Sequence, residues 1–191
     1  PLTAQEFRKA MYSQYDLYKL LTDLSSISPF DKILIRLDKN RYEDIEYCSE
    51  LFFSIAEGKV IDSNKSQLDE LYKKYFYNDK LDMAKQIELG NEFKETAAVL
   101  AQLLNKMQLY YKTSVSHVYA MWMFAYYIQH EGKDVSLYTQ SFNEFYIKVK
   151  KKEGDPYVQE YIQSMQQSTK SYRSRKRRYE ALLEYMKKSV E

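Results

Sequence analysis

A dense group of basic side chains in the last quarter of the chain is the strongest candidate for chemistry in this sequence. Six basic residues occur within nine positions: Lys170, Arg173, Arg175, Lys176, Arg177 and Arg178. Tyr172 and Tyr179 lie beside them. Guanidinium groups form paired hydrogen bonds with phosphate oxygens, and each neutralised phosphate releases condensed counterions. This basic cluster therefore predicts contacts with nucleic-acid phosphates, and DNA is the expected partner.

The same six side chains could instead pair with acidic groups of the protein. A basic cluster at the start of a helix opposes the helix dipole at a cost of roughly a few tenths of a kcal/mol per charge. Another interaction must outweigh that cost, and ion pairs within the protein or with a further domain would do so as well as DNA. Both interpretations stay open at the level of sequence.

Charge is distributed unevenly along the chain, although its 191 residues carry a formal net charge of only +2. Residues 147–191 hold twelve Lys and Arg against six Asp and Glu, whereas residues 1–146 hold seventeen against twenty-one. We therefore expect one domain, 1–191, with a mildly acidic body (1–146) and basic C-terminal helices (147–191). The single Cys, Cys48, cannot form an internal disulfide, which favours a reducing, cytoplasmic location.

Residues typical of catalytic and metal sites are sparse in this sequence. The two His, His117 and His130, lie thirteen positions apart and form no His-Glu-x-x-His pair, so a zinc site lacks its usual ligands. Four scattered Gly cannot build the glycine-rich loops that hold nucleotide phosphates. We therefore expect no metal, no cofactor and no catalytic residue. No apolar run of about 18 residues occurs, so no membrane span is expected either.

Helical periodicity and few helix breakers predict an all-α fold, an irregular domain of about eight helices. Thr3-Ala4-Gln5-Glu6 has the pattern of a capping box, which predicts a helix from there to about Tyr12. Further periodic segments cover residues 15–24, 30–37, 42–57, 64–77, 81–110, 115–129, 135–152, 157–167 and 172–188. The segment 115–129 is apolar on almost every side and is expected in the middle of the core. Gly58, Gly132 and Asp155-Pro156 are predicted helix boundaries.

The order of several short motifs resembles that of a known family. The motifs are Leu2-x-x-x-Glu6-x-Arg8-x-Ala10, Pro29-Phe30, Arg41-x-x-Asp44 before an apolar helix that ends at Gly58, Lys65-x-x-Leu68-Asp69, and Arg175-x-x-Arg178 before Leu182-Leu183. Together they are similar to the C-terminal helical region of the ParB/sulfiredoxin-like domain family of unknown function. That family includes the N-terminal half of the GmrSD modification-dependent restriction enzymes.

This resemblance implies a non-catalytic helical module of a bacterial defence protein that restricts foreign DNA. In that family an N-terminal domain carries two nucleotide-binding motifs, an Asp-Gly-Gln-Arg-type motif and a Phe-x-x-x-Asn segment. Neither motif occurs in this sequence. The module would contact DNA phosphates, or it would couple that nucleotide-binding domain, its partner in the same protein, to an effector. Among the matching residues, Arg8, Arg41 and Asp44 are candidates for structural ion pairs, which fix helix packing more than they add stability.

A protein–protein interaction or oligomerisation domain without nucleic-acid binding is the alternative function. In that interpretation the aromatic-rich helices over 42–57 and 64–77 present an apolar face to a partner.

Overall fold

The computed structural model describes residues 1–166 and 168–190, with the side chains of all of these except residues 109 and 110. Within this part of the chain the fold is all-helical, as predicted, and no strand occurs. It has eleven α-helices: α1 (Ala4–Tyr12), α2 (Asp16–Leu24), α3 (Phe30–Ile33), α4 (Glu43–Ala56), α5 (Lys65–Lys73), α6 (Met83–Leu104), α7 (Leu109–Thr113), α8 (Val115–His130), α9 (Thr139–Lys151), α10 (Pro156–Ser164) and α11 (Tyr172–Ser189). Short 3₁₀ turns cover Leu34–Arg36, Lys39–Arg41 and Val135–Leu137, and a π-helical turn covers Lys74–Asn78.

The helix count exceeds the eight or so expected because short helices replace parts of longer predicted segments. Segment 30–37 consists of α3, a single α-helical turn, followed by a 3₁₀ turn. Segment 81–110 is divided into α6 and α7 by residues 105–108. Gly90 does not interrupt α6, which continues through it. The predicted end of segment 157–167 at Gln167 lies outside the described residues.

Local sequence signals set several helix ends, and the structure confirms them. The Thr3 hydroxyl accepts a hydrogen bond from the Glu6 N–H at 3.2 Å, and the Glu6 carboxylate accepts one from the Thr3 N–H at 2.6 Å. Asp155 caps α10 by accepting from two backbone N–H groups. Gly58 and Gly132 follow α4 and α8 with φ angles of 63° and 60°, a backbone conformation in which a side chain would be strained.

Helix α8 lies in the middle of the core, as predicted. Its residues 118–125 are at most 3% exposed, and it packs against α4, α6 and α11. The Trp122 ring contacts the rings of Phe30 and Phe93 at centroid distances of 5.6 and 4.6 Å. Its indole N–H donates to the carbonyl oxygen of Leu51 at 3.2 Å. Because this donor is satisfied, the large Trp side chain can be buried without an unpaired polar group.

The C-terminal helices close the core from one side. Helices α10 and α11 pack on each other, and α11 also packs against α8 and α9. The start of α11 contacts α4 and α8 through Arg175. None of the helices in the described part of the chain is both long and apolar enough to cross a bilayer.

Candidate nucleic-acid interface

The basic cluster lies in the first turns of α11, except for Lys170, which precedes the helix. The helix divides the other side chains between the core and the surface. Arg175 and Arg178 are three positions apart, so they share one side of the helix. That side faces the protein, and the two residues are 2% and 0% exposed. The remaining members reach the surface: Lys170, Arg173, Lys176 and Arg177.

Arg175 forms a buried ion pair with Glu50 of α4. The same guanidinium donates to the carbonyl oxygen of Ile61 at 3.3 Å. Its Cζ also lies 3.8 Å from the centroid of the Tyr119 ring, a cation–π contact with α8. Burial tends to lower the pKa of Arg175, but the neighbouring Glu50 carboxylate, together with Tyr119 and Tyr47, more than offsets this and raises it. Arg175 therefore remains charged and holds α11 to α4, α8 and the segment after α4.

Arg178 closes the connection between α10 and α11. Its guanidinium donates to the carbonyl oxygen of Ser164 at 3.2 Å and to that of Thr169. The Sδ atom of Met165 lies 3.5 Å from the same group. Burial lowers the pKa of Arg178, since the charged form loses its hydration. Carbonyl oxygens thus replace the water that an exposed guanidinium would bind.

These contacts correct the expectation that Arg175 and Arg178 bind phosphate. Both side chains lie inside the protein, and their terminal guanidinium nitrogens donate to Glu50 and to backbone carbonyls, so neither can reach a phosphate in this structure. For Arg175 the alternative interpretation, pairing with an acidic group of the protein, applies, but Glu50 could not be identified as the partner from sequence because it lies 125 positions away. No local pattern connects the two residues.

Arg177 and Lys176 reach the surface but have acidic neighbours. The Arg177 Nε donates to a carboxylate oxygen of Glu160 in α10 at 2.6 Å, and this bond lowers the pKa of Glu160. Lys176 Nζ lies 3.7 Å from a carboxylate oxygen of Glu180, one turn further along α11. The side chains of both pairs are partly exposed, so each pair adds little to stability and can exchange for another anion.

Arg173 and Lys170 are the most available members of the cluster. Both side chains are exposed, and neither forms an ion pair with any residue that the structure describes. The backbone carbonyl of Lys170 accepts a hydrogen bond from the Ser63 hydroxyl at 3.2 Å, which holds the start of this segment against the body.

A groove of about 730 Å³ opens between the end of α10 and the start of α11. We call it the polar groove, and it is lined by Arg173, Arg177, Gln163, Gln166 and four serines, at positions 164, 168, 171 and 174. No Asp or Glu occurs among the described residues that line it. Hydroxyl, amide and guanidinium groups are the types of donor that a phosphate group requires, although the buried Ser164 hydroxyl already donates to the carbonyl oxygen of Tyr161 at 2.6 Å.

Arg8, predicted to form a structural ion pair, is the buried centre of a partly exposed polar network between α1, α4 and α5. It is 2% exposed, and its guanidinium lies 2.8 Å from carboxylate oxygens of both Glu46 and Asp69. The same group donates to the carbonyl oxygen of Lys65 and to the amide oxygen of Gln5, each at 3.3 Å. The network fixes the positions of three helices relative to one another.

Arg41 and Asp44, the other predicted ion-pair residues, do not join this network. Arg41 is exposed and forms no ion pair with any described residue. A carboxylate oxygen of Asp44 accepts a hydrogen bond from the Ile45 N–H at 2.9 Å, close to the start of α4. A carboxylate in the first turn of a helix is stabilised by the helix dipole.

The two His residues lie apart, and no group of three or more His, Cys, Asp or Glu among the described residues could hold a metal ion. His117 is buried, and its Nδ1 lies 2.8 Å from the hydroxyl oxygen of Tyr161. Cys48 is also buried, and burial raises the pKa of its thiol well above the usual range, which makes it a poor nucleophile.

No protein-family model matches this chain, and neither the curated proteins nor the solved structures contain a match to it. The resemblance to the ParB/sulfiredoxin-like family therefore stays a prediction that the comparisons leave untested.

Proposed function

We propose that this chain is a non-catalytic helical module that contacts nucleic-acid phosphates within a bacterial protein that restricts foreign DNA. The observation that carries this proposal is the polar groove, in which two arginines and four serines meet without a lining carboxylate. The motif order supports the second half of the proposal, because it resembles the helical region that follows a nucleotide-binding domain. In that arrangement the chain forms one domain of a cytoplasmic protein.

The way in which α11 is held supports a role for its exposed basic residues. Arg175 and Arg178 fix the first turns of the helix from the inside, so Arg173 and Arg177 project from a rigid backbone. A preorganised site loses less conformational entropy on binding than a flexible tail. The start of α11 also adds a partial positive charge from its backbone N–H groups. All of these features favour an anion in the polar groove.

Charge reversal of one exposed arginine tests the proposal. We expect Arg173→Glu to weaken duplex DNA binding and to lower the slope of log affinity against log salt by about 1, as for a lost phosphate contact. Arg36→Glu is the matched control, because Arg36 is also exposed but lies outside the groove. Fluorescence anisotropy with a labelled duplex measures both. Equal affinity and slope for Arg173→Glu, Arg36→Glu and the unaltered chain would contradict the proposal.

If the unaltered chain does not bind duplex DNA at all, coupling to a nucleotide-binding domain becomes the better interpretation. The exposed arginines would then face that domain instead of DNA. Mixing the chain with a separately produced candidate domain and measuring their association at low and high salt would test this version.

A specific observation favours a second function, protein–protein interaction. Phe7 and Met11 lie one turn apart on α1 and are 57% and 37% exposed, and Met83 and Ile87 lie one turn apart on α6 and are 55% and 57% exposed. The predicted apolar face of α4, in contrast, is buried in the core. Sedimentation velocity over a range of concentrations tests for a dimer. Phe7→Ser should weaken any dimer that uses the exposed apolar side of α1.

A further inference from the structure

A second cleft, of about 360 Å³, borders the start of α11. We call it the tyrosine cleft because four tyrosines line it: Tyr126, Tyr127, Tyr172 and Tyr179. The first two come from the last turns of α8 and the other two from α11. Because α8 and α11 pack against each other in the core, the cleft belongs to the rigid part of the fold.

The base of the cleft is apolar and its wall includes accessible ring surface. Met123 and Val60 line it and are 3% and 6% exposed. Tyr126 stacks on His130 with a centroid distance of 5.4 Å and an interplanar angle of 29°. Tyr172 is 45% exposed, so much of its ring is open to solvent. An accessible aromatic face over an apolar base suits a flat, conjugated ligand.

Charged groups line the same cleft. Lys176 Nζ lies 5.9 Å from the centroid of the Tyr172 ring, and Lys59 is largely exposed. Lys176 is paired with Glu180 at 3.7 Å and Lys59 with Glu57 at 3.8 Å, and these long, solvent-accessible pairs can exchange for an anionic substituent of a ligand. Glu131 and Glu180 also line the cleft and can accept hydrogen bonds from amino groups of a ligand.

The tyrosine hydroxyls add donors to this surface. Burial raises the pKa of Tyr179 to about 12, and it also raises that of Tyr126. Both hydroxyls therefore keep their protons at neutral pH and can donate to ring nitrogens or carbonyl oxygens.

We propose that the tyrosine cleft binds an unstacked nucleobase, with the attached phosphate beside Lys176 and Lys59. A volume of about 360 Å³ is at the lower end of the range for ligand sites, which suits one base and its sugar. This inference rests on the proposed function and deepens it. Tyr172 and Arg173 are consecutive in α11, so the cleft and the polar groove lie on neighbouring sides of one helix. A single strand crossing this helix could place a base in the cleft and a phosphate in the groove.

Binding of small probes tests the cleft separately from the groove. The probes are AMP, adenosine and inorganic phosphate, measured by saturation-transfer NMR and isothermal titration with the full chain. We expect AMP to bind more tightly than adenosine and inorganic phosphate to bind weakest. Tyr172→Ala should lower the affinity for AMP at least about fivefold, because a stacked base contributes on that scale. Tyr77→Ala is the matched control, since Tyr77 is also 45% exposed and lies outside the cleft.

Two lysine variants distinguish binding of the phosphate from binding of the base. Lys176→Ala should weaken AMP binding but leave adenosine binding unchanged. Lys85→Ala is its control, because Lys85 has the same 48% exposure and also pairs with a glutamate of its own helix. Loss of adenosine binding on Lys176→Ala, with none on Lys85→Ala, would contradict the assignment of the phosphate to Lys176.

A single-stranded oligonucleotide distinguishes the two sources of the base. If the base belongs to a strand, Tyr172→Ala weakens oligonucleotide binding about fivefold or more while mononucleotides bind weakly. If it belongs to a free nucleotide, AMP binding responds to Tyr172→Ala and oligonucleotide binding does not. Either result supports the cleft as a nucleobase site.

One result overturns the inference: neither the small probes nor the single strand responds to Tyr172→Ala. Duplex binding that still depends on Arg173 would then leave the proposed function intact. Conversely, AMP binding without any duplex binding would support the cleft as a nucleobase site and contradict the polar groove as a site for DNA phosphates.

Discussion

At the scale of single residues, one cluster of basic side chains serves two different purposes. Arg175 and Arg178 stabilise the fold from within, whereas Arg173 and Lys170 remain available to solvent. Residue type alone cannot separate these roles, because an Arg can be buried only where an acid or several carbonyl groups meet its donors. Those partners come from Glu50, Ser164 and Thr169, and long-range contacts decide their positions.

Removal of the charge from Glu50 should destabilise the protein strongly. We expect Glu50→Gln to lower the free energy of unfolding by about 3 to 5 kcal/mol, because it leaves the Arg175 charge buried without a counterion. Urea denaturation measures the change. Glu160→Gln is the control, since it breaks the more exposed pair with Arg177 and should cost no more than about 1 kcal/mol. Similar losses in the free energy of unfolding for the two variants would show that the buried pair stabilises the fold no more than the exposed pair does.

Buried His117 should make stability dependent on pH. Burial lowers its pKa to about 4, and the charge of Arg178 acts in the same direction. The unfolded chain takes up a proton near pH 6.5 while the folded protein does not, so stability falls as the pH drops from about 6.5 towards 4. We expect a loss of about 2 kcal/mol in the free energy of unfolding between pH 7 and pH 5.

Comparison with His117→Asn isolates this effect from the titration of other groups. The free energy of unfolding, measured in urea at pH 7 and pH 5, should decrease less in the variant than in the unaltered chain. Only the change in the free energy of unfolding between pH 7 and pH 5 is compared, so a general destabilisation of the variant does not affect the result. Parallel pH profiles would rule out His117 as the source.

At the scale of helices and turns, the features that could be predicted from the sequence are those that local interactions determine. The capping box at Thr3 and the Asp155 cap are confirmed, because each depends on residues within one helical turn. The division of segment 81–110 was not predicted, since it depends on how α6 and α7 pack against other helices. The polar groove was missed for the same reason. It forms only when α10 and α11 meet, although its arginines were identified.

Helix α6 offers a prediction at this scale. Gly90 lies inside the helix, and a Cβ atom there would lie 3.4 Å from the nearest atom of the flexible Leu20 side chain. Gly90→Ala should therefore raise the free energy of unfolding by about 0.5 to 1 kcal/mol through higher helix propensity. Gly58→Ala should lower it, because Gly58 has a φ of 63°. Thermal denaturation of both variants checks the contrast, and a loss of stability in Gly90→Ala would show that Leu20 cannot adjust.

At the scale of the whole molecule, the acidic body and the basic C-terminal helices are joined by paired charges. Glu50 of the body meets Arg175 of α11 in the interior, so part of the charge asymmetry in the sequence is used inside the fold. The part that remains at the surface includes four basic residues at the start of α11, beside the polar groove and the tyrosine cleft, and further lysines at the ends of α9 and α11. One end of one helix thus presents both cations and aromatic rings, the two groups that nucleic-acid-binding surfaces combine.

The salt dependence of DNA binding tests the central claim most directly. The unaltered chain is titrated into a fluorescently labelled short duplex at about 50 and 200 mM salt, the range over which phosphate contacts are lost. We predict binding at the lower concentration and a marked loss of affinity at the higher one, because the exposed basic residues neutralise phosphates. Absence of binding at both concentrations, or binding that salt does not weaken, would contradict the claim that α11 contacts DNA phosphates.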